Sequence, residues 1–530
     1  MEKHDMEKHE TSITLSLDKS DSPRAQKLER KFSKADVHFH HKNYAQQGSN
    51  PQELLDAMDY MHMEYTVLSP IPTNLLVQCG RCDAADHQPK PLTPKQMDSI
   101  ERLWNGGVWS DVLWAEFNPA VGSTSLDIHD VPNYYISDMK IRQGFQLDEK
   151  TYTKLIDKDG PLYYNTMVDD QTAGVYKALK DQDKIRFDPM VTGLVLGDMR
   201  CSEMLIDKLR RNPGVFTGVG EITVYKEWVQ EKVGVTLQAD MQSRACALIK
   251  LMNTCGVIGM PVVLHCDVDV MPWDMKRSGP AHFENICSFL RSSECKSTTI
   301  IWAHAGGLGK YSRISDGHLD RLRLVLKDPS LNHVHFDLSW DTVAKQLTMD
   351  DKETAPDLKK IQQLVELLET YPERFLFGSD ALSPTGVEFW RGTELAYDAV
   401  FKQLKPDTAN AIKLGNYRRL IVGARQKVRL YEKYCVDYAG LAIDIRQDNG
   451  RPDHVKWAVR EAIKDAVAYG LAMRAHDLDA KQPPPPKDMQ THLVSLQDLR
   501  SIATKVLLLD DKPWEKVPNF KPYLARASLV

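Results

Sequence analysis

His38 and His40, with Asp36 before them, open the part of the chain that could do chemistry. If residues 34–41 form a β-strand, its two-residue period places Asp36, His38 and His40 on one face and Val37, Phe39 and His41 on the other. Two imidazoles then leave one face within reach of a single ion, and neutral imidazole is the commonest protein ligand for zinc and related metals. The spacing is met equally well by a pair of surface histidines on an edge strand, so the reading turns on whether further ligands follow at later strand ends. They do: Glu221 in Gly-Val-Gly-Glu-Ile, His265 in Val-Val-Leu-His, His304 in Ile-Trp-Ala-His and Asp380 in Phe-Gly-Ser-Asp each close an apolar run. Each alone suits a plain structural role. Their recurrence in one position of successive units makes coincidence improbable.

The elements that would position them follow from periodicity. Helical composition over residues 51–61 is followed by a buried strand over 65–69 that ends at Pro70 and Pro72. From residue 73 to 183 the rhythm lapses into a segment with Trp104, Trp109 and Trp114, read as a long insertion after the second strand. Such an insertion would sit over the catalytic end of a barrel, as a lid or a subunit contact. Rhythm returns with strands expected over 187–196, 215–222, 261–265, 298–304, 334–338 and 374–380. Helices are expected between them over 201–211, 241–255, 283–291, 319–326 and 361–370, and after the last strand over 387–404. Eight strands alternating with helices predict an α/β fold, a (β/α)8 TIM barrel, and the candidate residues then fall at its C-terminal mouth, where barrel active sites form.

In combination the motifs resemble the amidohydrolase superfamily of metal-dependent hydrolases: Asp-Val-His-Phe-His at the first strand, Val-Leu-His at the fifth, Trp-Ala-His-Ala-Gly-Gly at the sixth and Phe-Gly-Ser-Asp at the eighth. Residues 414–420, Leu-Gly-Asn-Tyr-Arg-Arg-Leu, are similar to the closing segment of the branch that holds aminocarboxymuconate-semialdehyde and resorcylate decarboxylases and pyrone-dicarboxylate lactonases. The resemblance spans residues 34–429 without the insertion. It implies that His38, His40, His265 and Asp380 bind a divalent metal, with His304 a ligand of a second ion or a catalytic group. Glu221 resembles the strand-four glutamate that bridges two metals in TatD-like deoxyribonucleases; the alternative is a hydrogen bond to a ligand. The metal expected is zinc, with manganese the other choice, as one or two ions.

The chemistry implied is hydrolysis of an amide, ester or lactone bond of a small molecule. A bound divalent cation lowers the pKa of water from 15.7 to about 7. Asp380 would take the water's proton and pass it to the leaving group, while His304 would steer the water or polarise the carbonyl. The same site serves a non-oxidative decarboxylase of an aromatic or unsaturated acid. A reading from another class is a non-catalytic metal-binding barrel that acts as an interaction protein. Arg186, Lys226 and Trp340, with Asp341, are the candidate substrate contacts at the mouth. Asp36 would orient a ligand or serve as an ordinary strand residue.

The chain has 530 residues, 42% hydrophobic and 27% charged, with a net charge of -5. That balance suits a globular protein with a large core and gives no footing for nucleic acid or an anionic membrane. Nine scattered cysteines suggest reduced thiols and a cytoplasmic setting. Cys79 and Cys82 lack a second pair for a zinc ribbon and are read as a loop, and residues 157–160 as a turn rather than a calcium loop. Residues 1–33, with His4 and His9, read as a flexible arm, 34–430 as the barrel and 431–530 as a helical extension. That extension carries helices over 455–478 and 493–509 and a polyproline connector between them, and would dock on the barrel or on a second copy in a homo-oligomer.

Overall fold

Eight parallel strands form one sheet in the order β1-β3-β4-β5-β6-β7-β8-β9. They are β1 Lys34–Asp36, β3 Met63–Leu68, β4 Phe187–Val191, β5 Gly218–Tyr225, β6 Val262–Cys266, β7 Ile300–Trp302, β8 Val334–Asp337 and β9 Phe375–Leu376. This computed structural model describes residues 32–42, 48–49, 51–71, 163–194, 196, 200–225, 244–268, 282–309, 317–383, 387–445, 454–508 and 512–529. The expectations for His4, His9, Cys79, Cys82, residues 157–160, Lys226 and the larger part of the insertion lie outside the described residues.

The sheet curls until its ends meet, giving the (β/α)8 barrel. Val37 N–H donates to Phe377 O at 3.1 Å, and beyond that bond β2 (Phe39–His40) pairs with β10 (Ala381–Leu382). The strand expected over 34–41 is thus two short strands with a break at Val37 and His38, and the strand expected over 374–380 ends at Leu376. The buried Asp36 carboxylate explains both breaks: it accepts His38 N–H at 3.0 Å, Ser379 N–H at 2.9 Å and Ser379 O–H at 2.5 Å. A side chain takes backbone donors that a continuous ladder would have paired.

Register divides the apolar residues between two faces. Val262, Ile300 and Val334 pair in line, as do Leu264, Trp302 and Phe336, and all pack outward into the core under the helices. Val263, Ile301 and His335 alternate with them and point into the barrel, and Val263 and Ile301 belong to a second cluster that runs through Ala35, Val37 and Leu376 to Leu54, Leu55 and Met58 on the first helix. Burial on both faces is why these strands read as near-continuous apolar runs. Helices Pro51–Tyr60, Cys201–Arg211, Arg244–Ile258, Phe283–Leu290, His318–Lys327 and Leu358–Thr370 alternate with the strands. The helix expected over 387–404 is divided at Tyr397 into Val387–Ala396 and Asp398–Phe401.

Beyond the barrel, helix Gly423–Tyr434 runs across residues 430 and 431, where the extension was expected to start. Helix Val436–Asp444 lies against Cys201–Arg211, with Arg210 holding Asp444 through two bonds of 2.9 and 3.3 Å. Helices His454–Leu478, Leu496–Leu508 and Lys521–Ala527 enclose a third core around Val455, Val459, Leu499, Ile502 and Phe520. No helix among the described residues is long and apolar enough to cross a membrane.

Candidate metal centre

Each strand end delivers its side chain by a local device. The break at His38 lets His38 and His40 turn into the same space from the first strand. Glu221 stands inside β5 rather than at the expected strand end near Ile222, and a bulge brings it inward. Val219 pairs with Val262 and Ile222 with Leu264, so Gly220 and Glu221 both oppose the inward Val263. The extra residue re-aims a side chain that strict alternation would have directed elsewhere. Gly220 has to be glycine, because a Cβ there would lie 2.3 Å from Ser69 Oγ and 2.8 Å from Met190 Cβ. His265 is the penultimate residue of β6. His304 and Asp380 follow β7 and β9 in the left-handed region, with φ of 56° each, and Trp340 after β8 has φ 72°. Such backbone costs non-glycine residues roughly 1–3 kcal/mol and persists where surrounding structure enforces it.

Two groups of ligand atoms result, joined by one carboxylate. Glu221 Oε2 lies 3.3 Å from His40 Nε2 and 3.8 Å from His38 Nε2, and Asp380 Oδ1 lies 3.1 and 3.4 Å from the same two nitrogens. The other carboxylate oxygen, Glu221 Oε1, is 2.7 Å from His265 Nδ1 and 3.6 Å from His304 Nε2, and those nitrogens are 3.0 Å apart. The sequence-derived set of His38, His40, His265 and Asp380 is therefore split: His265 stands with His304, on the far side of Glu221 from the other three.

The proton positions are constrained by the outer partners. Asp337 Oδ2 takes the Nδ1 proton of His38 at 2.9 Å, and the Ser69 carbonyl takes that of His40 at 3.3 Å. Ser339 Oγ donates its only proton to Asp337 Oδ1, so toward His304 Nδ1, 2.8 Å away, it can only accept. His38, His40 and His304, when neutral, thus turn Nε2 lone pairs toward carboxylate oxygens. His265 has a carboxylate on either side, Glu221 at Nδ1 and Asp267 Oδ1 at Nε2, 2.9 Å away, so Asp267 can hold its proton and free Nδ1. Converging lone pairs need protons or a cation between them. His38 Nε2 is buried with no hydrogen-bond partner, and among the described residues three groups have the donor types and the spread of a cation site: His38, His40 and Asp380; Glu221, His265 and His304; and His38, His304 and Asp337, the last at Nδ1 of His38. The residues at this mouth fit a divalent cation.

The electrostatics agree. Burial opposes protonation of His38, but the Asp337 and Asp380 carboxylates outweigh it and hold its pKa well above the usual imidazole value. His40 is raised in the same way, against burial, by Asp380 and Glu221. The mostly desolvated setting of Asp380 favours its neutral form, yet His38 and its neighbours hold it below the ordinary carboxylate range. His304 is lowered by burial, which the Glu221 contact only partly offsets. Carboxylates concentrated in a dry site draw in positive charge, as protons or as metal.

Among the expected substrate contacts, Trp340 stands at the site, its ring centroid 5.3 Å from that of His304. Arg186 does not. It precedes the first residue of β4, at the opposite end of the barrel, and pairs with Asp59 at 2.7 Å and the Met63 carbonyl at 2.7 Å. The strand it was assigned to begins one residue later, and its guanidinium is spent on anchoring helix Pro51–Tyr60. Asp341 pairs with Lys345 at 2.8 Å on its own helix. Sequence reasoning missed Asp337, Ser339 and Asp267. Asp337 was readable in the sequence only as a carboxylate ending a strand; in the sheet it lies level with Leu376, three residues before Ser379. Asp267 follows its histidine by two residues, the one spacing that keeps it on the same face.

The fold and this centre define a (β/α)8 barrel with a histidine–carboxylate site at the C-terminal mouth. No family model matches the chain, and no curated protein matches it. Among solved structures it is similar to a probable 2-pyrone-4,6-dicarboxylic acid hydrolase from Acinetobacter baumannii, at 10% identity and TM-score 0.36, over 74% of this chain and 99% of the other. An amidohydrolase from Burkholderia multivorans shows 13% identity and TM-score 0.35 over 73% and 99% of the two chains. A dihydroorotase from Campylobacter jejuni shows 13% and 0.35 over 73% and 82%. These neighbours are amidohydrolase-superfamily proteins.

Proposed function

We propose that this protein is a metal-dependent hydrolase that holds two divalent cations at the barrel mouth and cleaves an amide, ester or lactone bond of a small molecule. The observation that carries this reading is Glu221, whose two oxygens face two separate groups of histidines. His38, His40, Asp380 and Glu221 would hold one ion, and Glu221, His265 and His304 the other. Bound there, the cations supply Lewis-acid polarisation of a carbonyl and a lowered pKa for water, from 15.7 to about 7. Asp380 is the member suited to move protons. Its side chain is 17% exposed against 5% or less for Glu221, His38, His40, His265 and His304, which makes it the most open of the six, and His38 and its neighbours hold its pKa below the carboxylate range. It accepts a proton from the attacking water and returns it to the leaving group. Trp340 supplies an apolar wall beside His304. Zinc suits the nitrogen-rich donor set best, with manganese the other candidate.

The test is elemental analysis of the purified chain beside His38→Ala and Glu221→Gln. Two ions in the parent, falling toward one in Glu221→Gln, support the shared site. One ion that survives Glu221→Gln moves the reading to a single-metal enzyme and strengthens the decarboxylase alternative. Turnover in 18O-water then separates the two chemistries, since hydrolysis places solvent oxygen in the product and decarboxylation releases carbon dioxide. No ion after reconstitution with zinc or manganese sinks the catalytic proposal. Light scattering tests the expected homo-oligomer.

A further inference from the structure

Asp337 ends β8 fully buried, and its two oxygens serve different halves of the centre. Oδ2 takes the Nδ1 proton of His38, a member of the first group, at 2.9 Å. Oδ1 accepts the backbone N–H of His304, from the second group, at 2.8 Å, as well as Ser339 N–H at 3.1 Å and the Ser339 hydroxyl. That hydroxyl in turn accepts from His304 Nδ1 at 2.8 Å. One carboxylate therefore sets the tautomer of one imidazole in each group. It also holds the left-handed turn at His304, with φ 56°, that aims the second imidazole at Glu221. The His38 and His304 rings stack at 4.9 Å between centroids with an interplanar angle of 28°, so rotation of one presses on the other. Asp267 is bonded to His265 Nε2 at 2.9 Å.

We infer that Asp337, directly at His38 and through Ser339 at His304, is a positioning residue shared by both metal groups, so that its removal weakens both ions at once. The inference rests on the reading that both groups bind divalent cations. Hydrogen bonds behind metal-bound histidines fix ring orientation and basicity, and removing one costs about 10- to 100-fold in affinity. Glu221 faces the Nε2 atoms of His38, His40 and His304, whereas Asp337 reaches His38 at Nδ1 and His304 at its backbone N–H.

The experiment measures zinc affinity of the full-length protein by competition with a chromophoric chelator, for the parent, Asp337→Asn, Ser339→Ala, Ser339→Thr and Asp267→Asn, with circular dichroism as a check on folding. Asp337→Asn is expected to weaken both zinc ions by about 10- to 100-fold each. Ser339 Oγ stands 2.8 Å from His304 Nδ1 and 3.3 Å from His38 Nδ1, so Ser339→Ala should weaken the ion of the His304 group more than the other, Ser339→Thr should restore it by returning the hydroxyl, and Asp267→Asn should weaken the ion of the His265 group. Should Asp337→Asn fail to fold, the contrast between Ser339→Ala and Ser339→Thr carries the test. Two parent ions of which Asp337→Asn weakens one or neither would overturn the shared role, as would equal affinities in the two Ser339 variants. A parent that binds no zinc would instead remove the cation reading beneath it.

Discussion

At the scale of single residues, buried charges outside the ligand set carry a measurable share of stability. Lys208 Nζ and Asp169 Oδ2 lie 2.8 Å apart with side chains 1% and 0% exposed, and Asp169 also accepts the backbone N–H groups of Thr192 and Gly193 at 2.9 and 3.0 Å. The pair ties helix Tyr163–Ala178 to the turn after β4 and to helix Cys201–Arg211. Removing one member of such a pair leaves a buried charge and costs about 3–5 kcal/mol, whereas removing both costs less. Urea denaturation should therefore show Lys208→Met as strongly destabilised and Lys208→Met/Asp169→Asn as partly recovered. Asp36 makes a second case. Asp36→Ala strands the buried His38 and Ser379 N–H groups, each at about 1–3 kcal/mol. It should also cost metal, because His38 and Asp380 are both placed by the turns those bonds close.

At the scale of elements, two close approaches predict opposite patterns. Gly220 forms the bulge that carries Glu221 inward, and a Cβ would meet Ser69 Oγ at 2.3 Å. Gly220→Ala should cost about 1–3 kcal/mol by overpacking, and zinc binding should fall with it because Glu221 moves with the bulge. Gly470, in helix His454–Leu478, lets that helix pass Tyr434, where a Cβ would lie 2.6 Å from the Tyr434 carbonyl and 2.9 Å from Cys435 Sγ. Gly470→Ala should destabilise by a similar amount and leave zinc stoichiometry unchanged, since its neighbours belong to the outer helices. Thermal melts run beside metal analysis separate the two outcomes.

At the scale of the whole molecule, acid sensitivity has an identifiable source in the barrel interior. His335 points inward beside Ile301, and burial, with Arg374 and Arg419 nearby, pushes its pKa from 6.5 down to about 3. His333 falls to about 4 for the same leading reason. A folded-state pKa below the unfolded one means the unfolded chain binds more protons in between. These groups thus leave stability whole above about pH 6.5 and erode it as pH falls toward 3. His335→Leu should flatten that dependence, moving the acid-unfolding midpoint to lower pH while stability at pH 8 changes little by comparison. An unchanged midpoint would place the acid sensitivity elsewhere, in the histidines and carboxylates at the mouth.

The sequence by itself determined the barrel, because a strand buried on both faces must be apolar throughout and its helix amphipathic, and that alternation is written in residue order. Helix Cys201–Arg211 has the bounds its composition predicts, and strands β6 and β8 lie within a residue of theirs at either end. It also marked His38, His40, Glu221, His265, His304 and Asp380 as the residues to examine, since each closes or follows an apolar run. Which of them stand together was decided only by the tertiary structure. His265 joins His304 rather than His38 because β6 and β7 are neighbours in the sheet, and Glu221 reaches both groups because a bulge, invisible to a two-residue period, turns it inward. Arg186 stands away from the site because it precedes β4, whose full length separates it from the C-terminal mouth. Asp337 entered it because a carboxylate behind two histidines acts through distances across strands that residue order does not contain.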